Sequence, residues 1–173
     1  MDFNRALSKR VRAYGAAALA AGLCVSVGLG AVASTATAAT QRATPPQLQS
    51  VTVKPYSGIL ANSKKVSLYL LTVEKGGKLH CTGICLTYWQ PLLVPTATKS
   101  IPVAKSVKGK IGFVKRTSRT KQVTFNGYPV YHYTGDSGPN QVKGEGTPAD
   151  GGTWYLVNAA TTSVSSTPVK PKG

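Results

Sequence analysis

The sequence predicts a mainly β fold: an antiparallel sheet domain built from two degenerate repeats and carrying long glycine-rich loops. Three observations carry this reading. Short runs of β-branched and aromatic residues recur at Val51–Val53, Val66–Val73, Ile111–Val114, Gln122–Phe125, Tyr128–Tyr133 and Trp154–Asn158, punctuated by Gly, Pro and Asn. No stretch between them repeats its apolar residues at helical spacing. Asn126 and Gly127 sit between two such runs, and both tolerate the positive φ that a two-residue hairpin turn demands.

That turn sets a register in which Phe125 opposes Tyr128, Thr124 opposes Pro129 and Val123 opposes Val130. One face then carries Phe125, Tyr128, Val123 and Val130 as core. The other carries Gln122, Thr124, Pro129, Tyr131 and Tyr133, expected to be polar and aromatic. His132 falls on the core side, opposite Lys121. Pro129 obstructs a further strand on its side, so its strand is expected at an edge.

The repeats emerge when Leu68–Glu74 is laid on Val130–Asp136. Tyr, Thr and an acidic residue coincide at a separation of 62. Each copy precedes a glycine-containing loop and then a Trp segment, Trp89–Leu93 and Trp154–Val157. The units run over about residues 58–95 and 120–158 of a β domain spanning 51–159.

Outside this domain the chain changes character. Arg5, Lys9, Arg10 and Arg12 precede an apolar run from Ala13 to about Ala33 and an Ala36-Thr37-Ala38 end, the layout of a secretory signal peptide over 1–38. The alternatives are a retained anchor, using an apolar run near spanning length but rich in Ala and Gly, or lipidation at Cys24. Leu23 before that cysteine, and Ala21 where such signals usually have Leu, disfavour lipidation. Residues 39–50 read as a flexible leader and 160–173 as a disordered tail, both rich in Ser, Thr and Pro. The expected location is secreted or extracytoplasmic, with no transmembrane segment once the signal is removed.

The 173-residue chain carries 21 Lys and Arg against 5 Asp and Glu, a net charge of +16. Charged residues are only 15%, against roughly 25% in an average domain, so the excess reflects missing acids. Five acids leave little for carboxylate-rich Mg²⁺ or Ca²⁺ sites. Outside the cytoplasm, Cys81 and Cys85 read first as a disulfide that closes a short loop. The competing reading is a redox or metal/haem site using Cys81, Cys85, His80 and His132.

With these elements in place, the chain resembles the bacterial secreted repeats and predicted lipoproteins that share a Y-x-[FWY]-x-x-D motif. Tyr131, Tyr133 and Asp136 match that motif. Cys81-Thr82-Gly83-Ile84-Cys85 followed by Trp89 looks like the family's other half, and Asn126–Tyr131 and Gly151–Trp154 look like its lead-in and close. The first copy departs from it, with Leu71 for the aromatic and Glu74 for Asp. The resemblance implies an extracytoplasmic β domain of bacterial origin and carries no activity, since the family has no established one.

Tyr131, Tyr133 and Asp136 are candidates either for a ligand surface or for structure, with Asp136 capping the Thr134–Gly138 turn and the tyrosines packing on the sheet. Trp89 and Trp154 read as core rather than as carbohydrate platforms. There is no G-x-S-x-G elbow and no H-E-x-x-H. No catalytic, cofactor-binding or metal-binding residue is assigned, and no cofactor is expected. Residues 75–135 contain ten bases and no acid, and Lys105, Lys108, Lys110, Lys115, Arg116, Arg119 and Lys121 are the candidate anion-binding set. The function expected is a non-enzymatic cell-envelope binding module. Its partner would be an anionic cell-wall polymer, lipid headgroups or an acidic protein, nucleic acid being disfavoured by export.

Overall fold

The computed structural model describes residues 48–162. The expected signal segment, Cys24, residues 39–47 of the expected leader and residues 163–173 of the expected tail lie outside the described residues. The domain is mainly β, with antiparallel sheets. Its elements are β1 (Gln49–Val53), β2 (Tyr56–Ala61), β3 (Tyr69–Leu71), a 3-10 turn at Thr72–Glu74, a one-turn helix α1 (Cys85–Tyr88), β4 (Trp89–Pro91), β5 (Leu93–Pro95), β6 (Ile111–Lys115), β7 (Thr120–Phe125), β8 (Tyr128–Pro129), β9 (Tyr131–Tyr133), β10 (Thr147–Ala149) and β11 (Gly152–Leu156).

They form a β1–β2 hairpin, a five-stranded sheet in the order β10-β11-β3-β9-β4, and a four-stranded sheet in which β5-β7-β6 are neighbours and β8 pairs with β7. The Asn126-Gly127 turn adopts positive φ at both residues, and Phe125 faces Tyr128 while Thr124 faces Pro129, the expected register. A second hairpin of the same kind joins β10 to β11, with Asp150 and Gly151 both at positive φ.

Two cores result. Leu68, Leu70, Val130 and Val157 point into one, with Val123, Phe125 and Tyr128. Tyr69, Leu71, Tyr131 and Leu156 point into the other, with Cys81, Cys85, Trp89 and Trp154. Successive residues of a strand face opposite sides, so a strand buried on both faces is apolar throughout rather than alternating. This explains the unbroken run Leu68-Tyr69-Leu70-Leu71, in which no residue exceeds 4% exposure.

Four expectations are corrected here. The run Tyr128–Tyr133 is not one strand. At Val130 it leaves β7 and crosses into the five-stranded sheet as β9, where Trp89, Gln90 and Pro91 face Tyr133, His132 and Tyr131. His132 therefore opposes Gln90, not Lys121, which faces Val94 and Lys115. The hairpin face expected to be polar is buried: Gln122 and Tyr131 are fully enclosed and Thr124 nearly so, because β9's new sheet covers it. Packed structure also reaches past both limits expected for the β domain. Leu48 is fully buried and bridges to Val103, β1 begins at Gln49, and the Thr161 carbonyl accepts a hydrogen bond from Asn126 Nδ2.

Candidate functional site

The two stretches that overlay in the sequence lie side by side, with Tyr69 of β3 directly opposite Tyr131 of β9. Each central strand then takes its outer neighbour from the other half of the chain. β9 pairs with β4, placing Trp89 opposite Tyr133 and Pro91 opposite Tyr131. β3 pairs with β11, placing Trp154 opposite Leu71 and Leu156 opposite Tyr69. The register reads alike from both ends, and it brings Trp89 and Trp154 face to face.

The acids follow the same exchange. Tyr69 donates its hydroxyl hydrogen to Asp136 Oδ2 at 2.7 Å, and Tyr131 donates to Glu74 Oε1 at 3.0 Å. Each carboxylate also gathers the loop that follows it: Glu74 accepts from the backbone N–H groups of His80 and Cys81, and Asp136 from that of Lys143. Both contacts at Cys81 and Lys143 lie seven residues beyond their acid. Asp136 thus ties its loop to the sheet across a longer span than the expected Thr134–Gly138 cap. Burial pushes the Glu74 carboxyl up, outweighing these donors and the nearby Arg116. Burial likewise raises both tyrosines; the bond to Asp136 adds to the shift at Tyr69, and the Glu74 charge at Tyr131.

Of the three motif residues, Tyr131 is fully buried and Asp136 is 7% exposed. Tyr133 packs on Trp89 at 4.5 Å between ring centroids. Tyr133 and Asp136 line a hollow of about 320 Å³ together with Asn62, Gln90 and His132. Burial lowers the pKa of His132, outweighing a hydrogen bond to the Ser67 backbone and the Asp136 charge, and its Nε2 lies 3.5 Å from Asn62 Nδ2.

Cys81 and Cys85 form a disulfide buried in the Trp-lined core, with α1 starting at Cys85. His80 is exposed beside Gly151, on a different segment from His132. Among the described residues no group of three or more His, Cys, Asp or Glu side chains is placed to hold a metal ion.

All four described acids accept internal hydrogen bonds, Glu74 and Asp136 buried and Glu145 and Asp150 half-buried. Beyond Glu74 and Asp136, Glu145 accepts from the Leu156 N–H and Asp150 from Trp154 Nε1. The bases behave oppositely. Lys105, Lys108, Lys110, Lys115 and Arg119 are exposed. Two of the candidate anion-binding residues depart from this pattern. Arg116 is half-buried, its guanidinium donating to the Cys81 carbonyl at 2.6 Å and to Gln122 Oε1 at 3.0 Å. Lys121 is half-buried, with its ammonium 4.3 Å from the centre of the Phe113 ring.

Beside β6 lies a groove of about 500 Å³ lined by Gly76, Gly77, Lys110, Gly112, Phe113 and Val114 among others. Gly76 and Gly77 both hold positive φ, so the strap they form is closed to most other residues. Gly112 leaves the floor open because a Cβ there would lie 2.8 Å from Thr124 Oγ1. Sequence reading missed this groove, since its glycines belong to two segments 35 residues apart, Gly77 and Gly112. The Tyr–carboxylate exchange was closer to legible, because the overlay at 62 residues already aligned Tyr69 with Tyr131 and Glu74 with Asp136.

Residues 112–158 match the family described as a secreted repeat of unknown function. This segment spans β6 to β11 apart from the first residue of β6. No curated protein and no solved structure matches the chain. Among the described residues, no helix is long and apolar enough to cross a membrane.

Proposed function

We propose that the chain is an exported binding module of the bacterial cell envelope, non-enzymatic, with two related units forming one frame and a basic surface serving anionic partners. The carrying observation is the segregation of charge. The described residues contain 14 Lys and Arg and 4 Asp and Glu, a difference of +10, and every one of those carboxylates is committed to an internal hydrogen bond. The positive field is therefore little offset by acids pointing outward. Such a field attracts polyanions over about 10 Å at 0.1 M salt. The secreted-repeat match supports the extracellular setting. The motif tyrosines and Asp136 act as internal ties of the frame, and Lys105, Lys108, Lys110, Lys115 and Arg119 as the outward-facing cations.

Sedimentation with anionic cell-wall polymer across a salt series tests this. Binding should weaken steadily as salt rises, and reversing the charge at Lys105, Lys108 and Arg119 together should abolish it without changing the far-ultraviolet spectrum. Binding that ignores salt, or none to any polyanion, overturns the reading.

A further inference from the structure

β6 ends the four-stranded sheet, and no described strand lies on its outer side. In an antiparallel pair, backbone groups point alternately toward and away from the partner. The Lys110 carbonyl accepts from the Asn126 N–H and the Arg116 N–H donates to the Thr120 carbonyl, so residues 110, 112, 114 and 116 turn toward β7. Ile111, Phe113 and Lys115 therefore turn their N–H and C=O groups outward. Open edges of this kind accept an added strand.

We propose that the outer edge of β6 binds an extended acidic polypeptide as an added strand; this rests on the anion-binding reading above and specifies the partner. The side chains around the edge select for acid. Lys110 precedes β6 and Lys115 ends it, Lys75 and Lys78 flank the Gly76–Gly77 strap across the groove, and Lys121 lies against Phe113. No acid occurs between residues 75 and 135. The groove, floored by Gly112 and Val114, receives alternate side chains of the incoming strand, while Ile111, Phe113 and Lys115 supply the ladder. The same lysines disfavour pairing with a second copy, whose β6 would bring like charges together. Edge lysines of this kind keep sheets of identical chains apart while leaving the edge open to an acidic segment.

The test titrates the isotope-labelled full chain with a short synthetic peptide alternating glutamate and valine, and with the same peptide N-methylated at alternate amides. The expected result is slowed hydrogen exchange at the Ile111, Phe113 and Lys115 amides and at least about tenfold weaker binding of the N-methylated peptide. Lys115→Pro, which removes an outward N–H, should weaken binding more than Lys115→Ala, which removes only the charge. Salt-sensitive binding that is indifferent to N-methylation and to Lys115→Pro overturns the added-strand proposal and leaves the anion-binding reading standing. Slow exchange at these three amides before peptide is added also overturns it, since the edge is then already occupied. Absence of salt-sensitive binding by any polyanion overturns the underlying reading.

Discussion

Trp89 and Trp154 stack with ring centroids 3.9 Å apart and planes 6° from parallel. They come from β4 and β11, 65 residues apart in the sequence, and meet because β4 pairs with β9 and β11 with β3. Tyr133 tilts against the Trp89 ring and Tyr131 meets Trp154 edge-on at 5.1 Å, so the pair sits at the middle of an aromatic cluster.

Rings this close should give an exciton-split couplet in the circular dichroism spectrum. Trp89→Phe or Trp154→Phe alone should remove the whole couplet rather than half of it. Trp154→Ala should cost about 3–5 kcal/mol in denaturant unfolding, as large aromatic truncations in cores do. A couplet that survives either single Phe substitution contradicts the stack.

Tyr69 and Asp136 are predicted to be energetically coupled. Tyr69→Phe leaves a buried carboxylate oxygen without its hydroxyl donor and should cost about 1.5–3 kcal/mol, the range for hydrogen bonds to charged groups. In a double-mutant cycle with Asp136→Ala the two losses should not add. Strict additivity shows the bond to be energetically idle.

Alkaline titration addresses the same tyrosines. Tyr69 and Tyr131 hold their protons more tightly when folded than the ordinary phenol value of 10.0. Their contribution to stability is full below that value and is lost as pH rises beyond it. Their ionisation, followed by absorbance, should coincide with unfolding, and Tyr69→Phe and Tyr131→Phe should each remove one such late-ionising phenol.

The Glu74 and Glu145 carboxyls are also raised by burial. A raised carboxyl binds its proton more tightly in the native state than in the unfolded chain. Their contribution to stability should therefore be full below the ordinary carboxylate range and be lost as pH climbs through the raised values. Glu74→Gln should flatten that decline, and Arg116→Met, which removes a cation favouring the charged form, should extend it to higher pH. Urea unfolding at a series of pH values reads both, and identical slopes in wild type and Glu74→Gln refute the assignment.

Opening the Cys81–Cys85 bridge should cost about 2 kcal/mol on the chain-entropy scale for so short a loop. The Cys81→Ser, Cys85→Ser double variant should unfold at lower denaturant yet keep the Trp couplet. Loss of the couplet implies instead that the bridge holds the Trp core together.

The sequence made some of this legible and hid the rest for physical reasons. The Asn126-Gly127 hairpin was readable because its turn chemistry is local. The same signal at Asp150-Gly151 went unread because Pro148 interrupts the strand before it. β2 escaped notice because Gly58 and Pro55 weaken its pattern, although Gly58 holds a positive φ and Pro55 makes a cis peptide at the β1–β2 turn. The two-sided burial of Gln122 and Tyr131 was hidden because it depends on Val130 carrying the chain from one sheet to another. Among the basic residues, charge alone did not separate Arg116, bound to the Cys81 carbonyl, from the exposed lysines nearby.

The crossed pairing of β3 with β11 and β9 with β4 also bears on how many such units a polypeptide needs. Residues 112–158 contain β9, β10 and β11, yet β9 and β11 are separated in the sheet by β3, which lies outside that segment. Residues 112–158 on their own supply no sheet neighbour for β9 and no second indole to stack on Trp154. This segment closes only against a counterpart, supplied by the same chain or by another molecule. A chain cut in the exposed stretch near Lys99 and Ser100 should accordingly yield two pieces, each unfolded alone, that recover the Trp couplet when mixed.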